Sequence, residues 1–151
     1  MRIWVDADGL SREINDVLLR VSERRQLAIV RVANRNLPAH SSPLVSAVRV
    51  DDSFDAADRY IVENLEAGDL VITADVPLAA SVVGLGAWAL SARGEVFDAG
   101  NVGDKLATRD LMSELRSSGA VSGGPASPSP NDRKRFIDAL DRLLTKLARQ
   151  S

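Results

Sequence analysis

The chain has 151 residues, 45% of them hydrophobic, and a net charge of -2. That is the size of one domain with material for a core, without the bulk charge of a non-specific nucleic-acid binder. It holds no cysteine and a single histidine, His40, which excludes disulfides, thiolate zinc sites, thiol nucleophiles and histidine-rich metal centres.

No apolar run approaches the roughly 18 residues of a membrane span, and the N-terminus lacks the layout of a secretory signal. The expectation is a cytoplasmic protein without membrane contact.

Arg2-Ile3-Trp4-Val5 reads as a buried strand and ends at Asp6-Ala7-Asp8-Gly9. Leu10, Ile14, Val17, Leu18 and Val21 then recur at helical spacing, predicting a helix from about Leu10 to Arg25. Leu27 to Ala33 is a second apolar strand ending at Asn34-Arg35-Asn36, and the proline-containing stretch 37–43 is a loop. Leu44 to Val50 predicts a third strand nearer the edge, closed by a turn at Asp51-Asp52-Ser53. Phe54-Asp55-Ala56-Ala57-Asp58 opens a second helix, which Ile61, Val62 and Leu65 continue. Leu70 to Thr73 is another buried strand, followed by Ala74-Asp75 and a helix with Pro77 in its first turn, ending near Leu85. Short strands are expected at 87–90 and 96–97. A fourth helix, Asp104 to Ser117, should turn Leu106, Leu111, Met112 and Leu115 inward.

Gly119 to Pro130 is a loop or tether rich in glycine, proline and serine. A last helix to about Arg149 should bury Phe136, Ile137, Leu140, Leu143, Leu144 and Leu147, on its own sheet or on a second subunit of a homo-oligomer. Alternating strands and helices with short connections predict an α/β fold in three layers, a mostly parallel central sheet flanked by helices. The expected division is an α/β domain over 1–118, then the loop and C-terminal helix over 119–151.

In such a sheet, ligands gather at the carboxyl ends of the strands. Asp6 and Asp8 end the first strand, Asp75 ends the strand from Leu70, and Asp55 and Asp58 begin the helix between them in sequence. Each could merely cap a helix or end a strand. Together they would crowd like charges into one crevice, raising their pKa values unless a cation holds them ionised. Oxygen ligands alone point to Mg²⁺, Mn²⁺ or Ca²⁺; the expectation is Mg²⁺ or Mn²⁺, which can activate water and stabilise an in-line phosphoryl displacement. Asp6 and Asp75 are the expected catalytic pair; Asp6, Asp8, Asp55, Asp58 and Asp75 are the candidate metal ligands. Candidate phosphate-facing residues are Asn34, Arg35, Arg93, Lys105 and Arg109, with His40 a loop residue near the same edge.

WVDADG, VAN, FDAAD, AGDLVITADVPLAA, RGE, TRDLMSELRSSG, SGGP and NDRKRF, in this order, resemble the YaiI/YqxD family of uncharacterised bacterial proteins over nearly the whole chain. That family has no established reaction and is grouped, by fold and acidic pattern, with the PIN-like and NYN-type metal-dependent ribonucleases. The resemblance implies a PIN-like fold, with Asp6 as first acidic ligand and Thr73-Ala74-Asp75 as the Thr-x-Asp strand end. The middle acidic position then falls on Asp55 or Asp58. Family members commonly read Asp-Ala-Asp-Ala-Cys-Pro where this chain has Asp6-Ala7-Asp8-Gly9-Leu10-Ser11, so cysteine chemistry is not essential here.

Three functions follow as expectations. The first is a divalent-metal nuclease acting on RNA ahead of DNA. The second is a phosphatase of the haloacid dehalogenase type, with Asp6 as nucleophile and Asp8 as general acid; Lys105, Lys134 and Lys146 are poorly placed to serve it. The third is a non-catalytic module that binds nucleic acid or protein.

Overall fold

The computed structural model describes residues 1–8, 10–53, 55–117, 119 and 129–150. Five strands run parallel: β1 (Arg2–Asp6), β2 (Ala28–Ala33), β3 (Val45–Arg49), β4 (Leu70–Ile72) and β5 (Trp88–Leu90). A short sixth, β6 (Val96–Phe97), pairs antiparallel with β5. The spatial order is β3-β2-β1-β4-β5-β6. The helices are α1 (Arg12–Arg25), α2 (Ala56–Asn64), α3 (Val76–Gly84), α4 (Val102–Ser117) and α5 (Pro130–Gln150).

Alternation along each strand sends successive side chains to opposite faces. Ile3, Val5 and Ile29 meet Ile14 and Leu18 of α1 and Phe136, Leu140 and Leu144 of α5. Trp4, Val30, Val32 and Val71 meet Ile61 of α2 and Leu78 and Val82 of α3. Covered on both sides, the central strands carry near-continuous apolar runs, as buried parallel strands do. The structure is the expected α/β arrangement with a mostly parallel central sheet. No helix among the described residues is long and apolar enough to cross a membrane.

Helix starts are set by local chemistry. Ser11 caps α1 through its Oγ, which accepts from Ile14 N at 3.3 Å, so the helix begins at Arg12 instead of Leu10. Asp75 caps α3, and Asp98 Oδ1 accepts from the Gly100 and Asn101 amides just before α4. That turn starts α4 at Val102, two residues earlier than the apolar pattern suggests. Phe54 and most of the 119–130 stretch lie outside the described residues.

The apolar stripe of α5 packs on the chain's own sheet, not on free surface. Ion pairs Arg25–Asp141 and Arg133–Glu13 join α5 to α1. At Gly94 the backbone has φ +85°, and a Cβ there would lie 2.7 Å from the backbone of Arg135. The turn between β5 and β6 can approach the start of α5 only because that residue has no side chain.

Two expected core positions are corrected. Leu111 is 56% exposed and Ile137 is 41% exposed. Periodicity puts both beside apolar neighbours, but nothing described covers the outer edge of either helix. Leu106, Met112 and Leu115 are only half-buried.

Candidate active site

Strands β1 and β4 are neighbours in the sheet, with Val5 opposite Ile72. The chain leaves β1 toward α1 on one face and leaves β4 toward α3 on the other. The strand order reverses between them, which opens a crevice at their carboxyl ends. Asp6 is the last residue of β1, and Thr73 and Asp75 follow β4 directly.

Thr73 is 1% exposed, and its hydroxyl serves both strand ends. It donates to Asp6 Oδ2 at 2.9 Å and accepts from the Asp75 amide at 3.0 Å. Asp75 is further held because its Oδ1 accepts from Leu78 N at 3.1 Å, capping α3. Asp58, in the first turn of α2, lies within hydrogen-bond reach of the Asp75 carboxyl. Two carboxyl groups so placed share a proton or need a cation between them.

The electrostatics agree with that crowding. Burial pushes the Asp6 carboxyl up to about 6; the Thr73 hydrogen bond opposes this, and the charges of Asp75 and Asp8 add to it. Burial likewise pushes Asp58 up to about 6, reinforced by Asp75, Asp6 and Asp55 and by the bond to Asp75. A dication among Asp6, Asp58 and Asp75 would relieve the desolvation and the repulsion together. The donors are all hard oxygens, chemically suited to Mg²⁺ or Mn²⁺. Among the described residues, however, no three acidic or histidine side chains are already drawn together as a metal cage. The donor set fits such an ion in chemistry; binding it would require the carboxylates to draw inward.

The remaining predicted residues sort by their partners. Asp8 turns toward the end of β2: Oδ2 accepts from Asn34 N at 2.8 Å, and Oδ1 lies 3.5 Å from Arg35 Nε. Asn34 and Arg35 therefore reach the acidic edge through Asp8. Asp55 is the N-cap residue of α2 but makes no side-chain cap bond; it pairs with Arg59 at 3.2 Å. Of the two candidates for the middle acidic position, Asp58 is the one whose carboxyl is pushed up by Asp75 and Asp6. Lys105 pairs with Glu95 and lies over the Phe97 ring, and Arg109 pairs with its neighbour Asp110. The Arg93 amide donates to Ser91 Oγ, and its side chain adds positive charge near Asp132. The contacts just given for these three bases are with groups other than Asp6, Asp8, Asp55, Asp58 and Asp75. His40 is exposed, its Nδ1 accepting from Ser42 N at 3.1 Å.

A cleft of about 270 Å³ opens beside Asp58, between α2 and α3. Val62, Pro77 and Leu78 give it an apolar lining, with Asp55, Arg59, Glu63 and Ser81 contributing polar groups.

Two features escape sequence reasoning, the bridge made by Thr73 and the burial of Arg31. Thr73 is visible as a strand end, but its double hydrogen bond depends on β1 and β4 being adjacent. Arg31 sits inside an apolar strand pattern and is only 5% exposed; no spacing rule signals that.

The comparisons with known proteins agree with the resemblance. The model described as "Uncharacterized BCR, YaiI/YqxD family" matches residues 4–146. A UPF0178 protein of Geobacter metallireducens is 49% identical over 150 residues, covering 99% of this chain and 97% of the relative. One from Citrifermentans bemidjiense is 51% identical over 150 residues, with the same coverage. One from Saccharophagus degradans is 48% identical over 146 residues, covering 97% of each. No solved structure matches the chain. With its family model spanning the sheet and the helices on both faces, the chain belongs to the YaiI/YqxD family.

Proposed function

We propose that the chain is a divalent-metal-dependent phosphodiesterase that cuts RNA, with Asp6, Asp58 and Asp75 as the principal ligands of Mg²⁺ or Mn²⁺. The observation that carries this reading is that aspartates from three elements lie near enough at the switch point of the sheet for their charges to act on one another. Two of them are raised to about 6 by burial and by one another. Such a bound ion supplies Lewis-acid stabilisation of phosphoryl oxygens and lowers the pKa of water.

The chain's own groups would orient that chemistry. Thr73 holds the Asp6 carboxyl through Oδ2, and the α3 cap holds Asp75. Asp8, Asn34 and Arg35 form the neighbouring rim, where Arg35 can exchange its half-exposed ion pair for a phosphate oxygen. The cleft beside Asp58 has room for a nucleoside flanking the scissile bond.

The phosphatase reading has less support. Asp8, its general acid, is turned to Asn34 and Arg35, and Lys105 is paired with Glu95. The non-catalytic reading is tested directly. Labelled single-stranded RNA incubated with the protein and Mn²⁺ should be cut, and Asp75→Asn should reduce cutting by about a hundredfold or more, the scale of losing an electrostatic catalytic group. Intact RNA with the wild-type chain, under conditions where Mn²⁺ raises its melting temperature, would leave a binding module. Phosphate released from a small monoester, with phosphate trapped on Asp6, would select the phosphatase.

A further inference from the structure

Arg31 points to a second site. It lies in β2 with Val5 of β1 on one side and Ala47 of β3 on the other. Alternation puts it on the face of Ile29 and Ala33, which belong to the core shared with α1 and α5. It is only 5% exposed. Its Nη2 donates to the Pro38 carbonyl at 3.0 Å. Its Nε is the one buried side-chain nitrogen or oxygen among the described residues with no hydrogen-bond partner. Burial pushes its pKa down, and it forms no ion pair with a carboxylate among the described residues.

A buried guanidinium with an idle donor and no counter-charge is unfavourable. A hydrophobic residue of similar volume would do better at that position if packing were the only requirement. The planar fork of an arginine matches the oxygens of a phosphoryl group. The segment beside it, residues 34–44, is mostly exposed; it meets β2 where Arg31 donates to the Pro38 carbonyl and, at its far end, where the Ile29 amide donates to the Leu44 carbonyl at 2.9 Å. The same segment begins with Asn34 and Arg35, which hold Asp8 at the acidic edge.

We propose that Arg31 is the floor of an oxyanion site for a phosphoryl group, bordered by the 34–44 segment and separate from the aspartate centre. The anion completes the guanidinium when the segment lifts from the Pro38 contact. The site stands on the burial and idle donor of Arg31, so it does not depend on the chain being a nuclease.

The test compares the full chain with Arg31→Met, without any need for turnover. Thermal unfolding is followed in inorganic phosphate and in chloride of matched ionic strength. In a second arm, EDTA is present, and binding is measured for a fluorescent single-stranded oligoribonucleotide and for the same sequence on an uncharged backbone. The expected result is an anion response in the wild type that Arg31→Met lacks. It takes one of two forms: a phosphate-specific rise in Tm, or affinity for the charged oligonucleotide at least about tenfold tighter than in the variant. Response to phosphate alone identifies a small phosphate ligand; response to the charged backbone and not to the uncharged one identifies nucleic acid. In chloride the variant should melt no lower than the wild type, because an uncompensated buried charge has been removed. The proposal is overturned if the variant keeps the wild-type response in both arms, or if neither arm responds in the wild type. A structural tie to Pro38 would show itself as a lower melting point for Arg31→Met in chloride with anion responses unchanged.

Discussion

Asp6 and Thr73 are 67 positions apart in sequence and joined by a 2.9 Å hydrogen bond, the hydroxyl of Thr73 donating to Asp6 Oδ2. That same hydroxyl accepts from the Asp75 amide. One oxygen therefore fixes both the carboxylate that ends β1 and the turn that carries the carboxylate after β4. Thr73→Val keeps the shape and removes the bridge. Calorimetry should show a loss of about 1–3 kcal/mol, since the part-buried Asp75 amide loses its acceptor. The Asp6 pKa should rise above its present value of about 6, because the one interaction lowering it is gone. A carboxyl titration by NMR would read this; an unchanged Asp6 pKa would sink the bridge.

The raised carboxyls give the fold a signed pH dependence. Asp6 goes from 3.8 to about 6 in the folded chain, so between those values the folded form binds more protons than the unfolded. Its contribution to stability is best below about pH 4, falls as pH rises through 6, and stays low above. Asp58 has the same sign. Asp6→Asn should match the wild type near pH 4 and be more stable near pH 7, by at most about 3 kcal/mol. Melting curves of the pair across this range check the sign. Mn²⁺ should raise the wild-type melting temperature more at pH 7 than at pH 4, and should do so less in Asp6→Asn.

The opposite end of β4 is held by a different carboxylate. Asp69 is 5% exposed and accepts from the Arg2 amide at 3.0 Å, Trp4 Nε1 at 3.0 Å and the Glu66 amide at 2.9 Å. It ties the starts of β1 and β4 together as Thr73 ties their ends. Asp69→Ala should cost about 3–5 kcal/mol in urea unfolding, because several donors lose a charged acceptor at once. The pKa of Asp6 should not move in this variant.

The C-terminal helix offers a contrast between two adjacent residues. Phe136 is fully buried against the sheet, while Ile137 is 41% exposed. Phe136→Ala should cost about 3–5 kcal/mol, and Ile137→Lys should stay within about 0.5 kcal/mol of the wild type. Gly94→Ala should destabilise by more than about 1 kcal/mol, through its positive φ and a clash with the Arg135 backbone. Hydrogen exchange in that variant should quicken first along α5.

Much of this protein was set by local sequence. Apolar runs in β1, β2 and β4, interrupted in β2 by Arg31, announce buried parallel strands, because such strands have no solvent face to mark with polar residues. Asp75 announces a helix start, because a short polar side chain is what satisfies the free amides there, whereas the Ser11 cap moves the start of α1 past the Leu10 that periodicity suggests. Aspartates at three of these punctuation points were readable as one edge of a parallel sheet. The tertiary structure alone decided which strands lie side by side, and so that Thr73 bridges Asp6 and Asp75. It also decided that Asp58 feels the charges of Asp75 and Asp6 while Asp55 pairs with Arg59, a choice that spacing leaves open since one residue caps α2 and the other lies in its first turn. It exposed Leu111 and Ile137 and buried Arg31, because periodicity describes one element and burial depends on what other elements place over it.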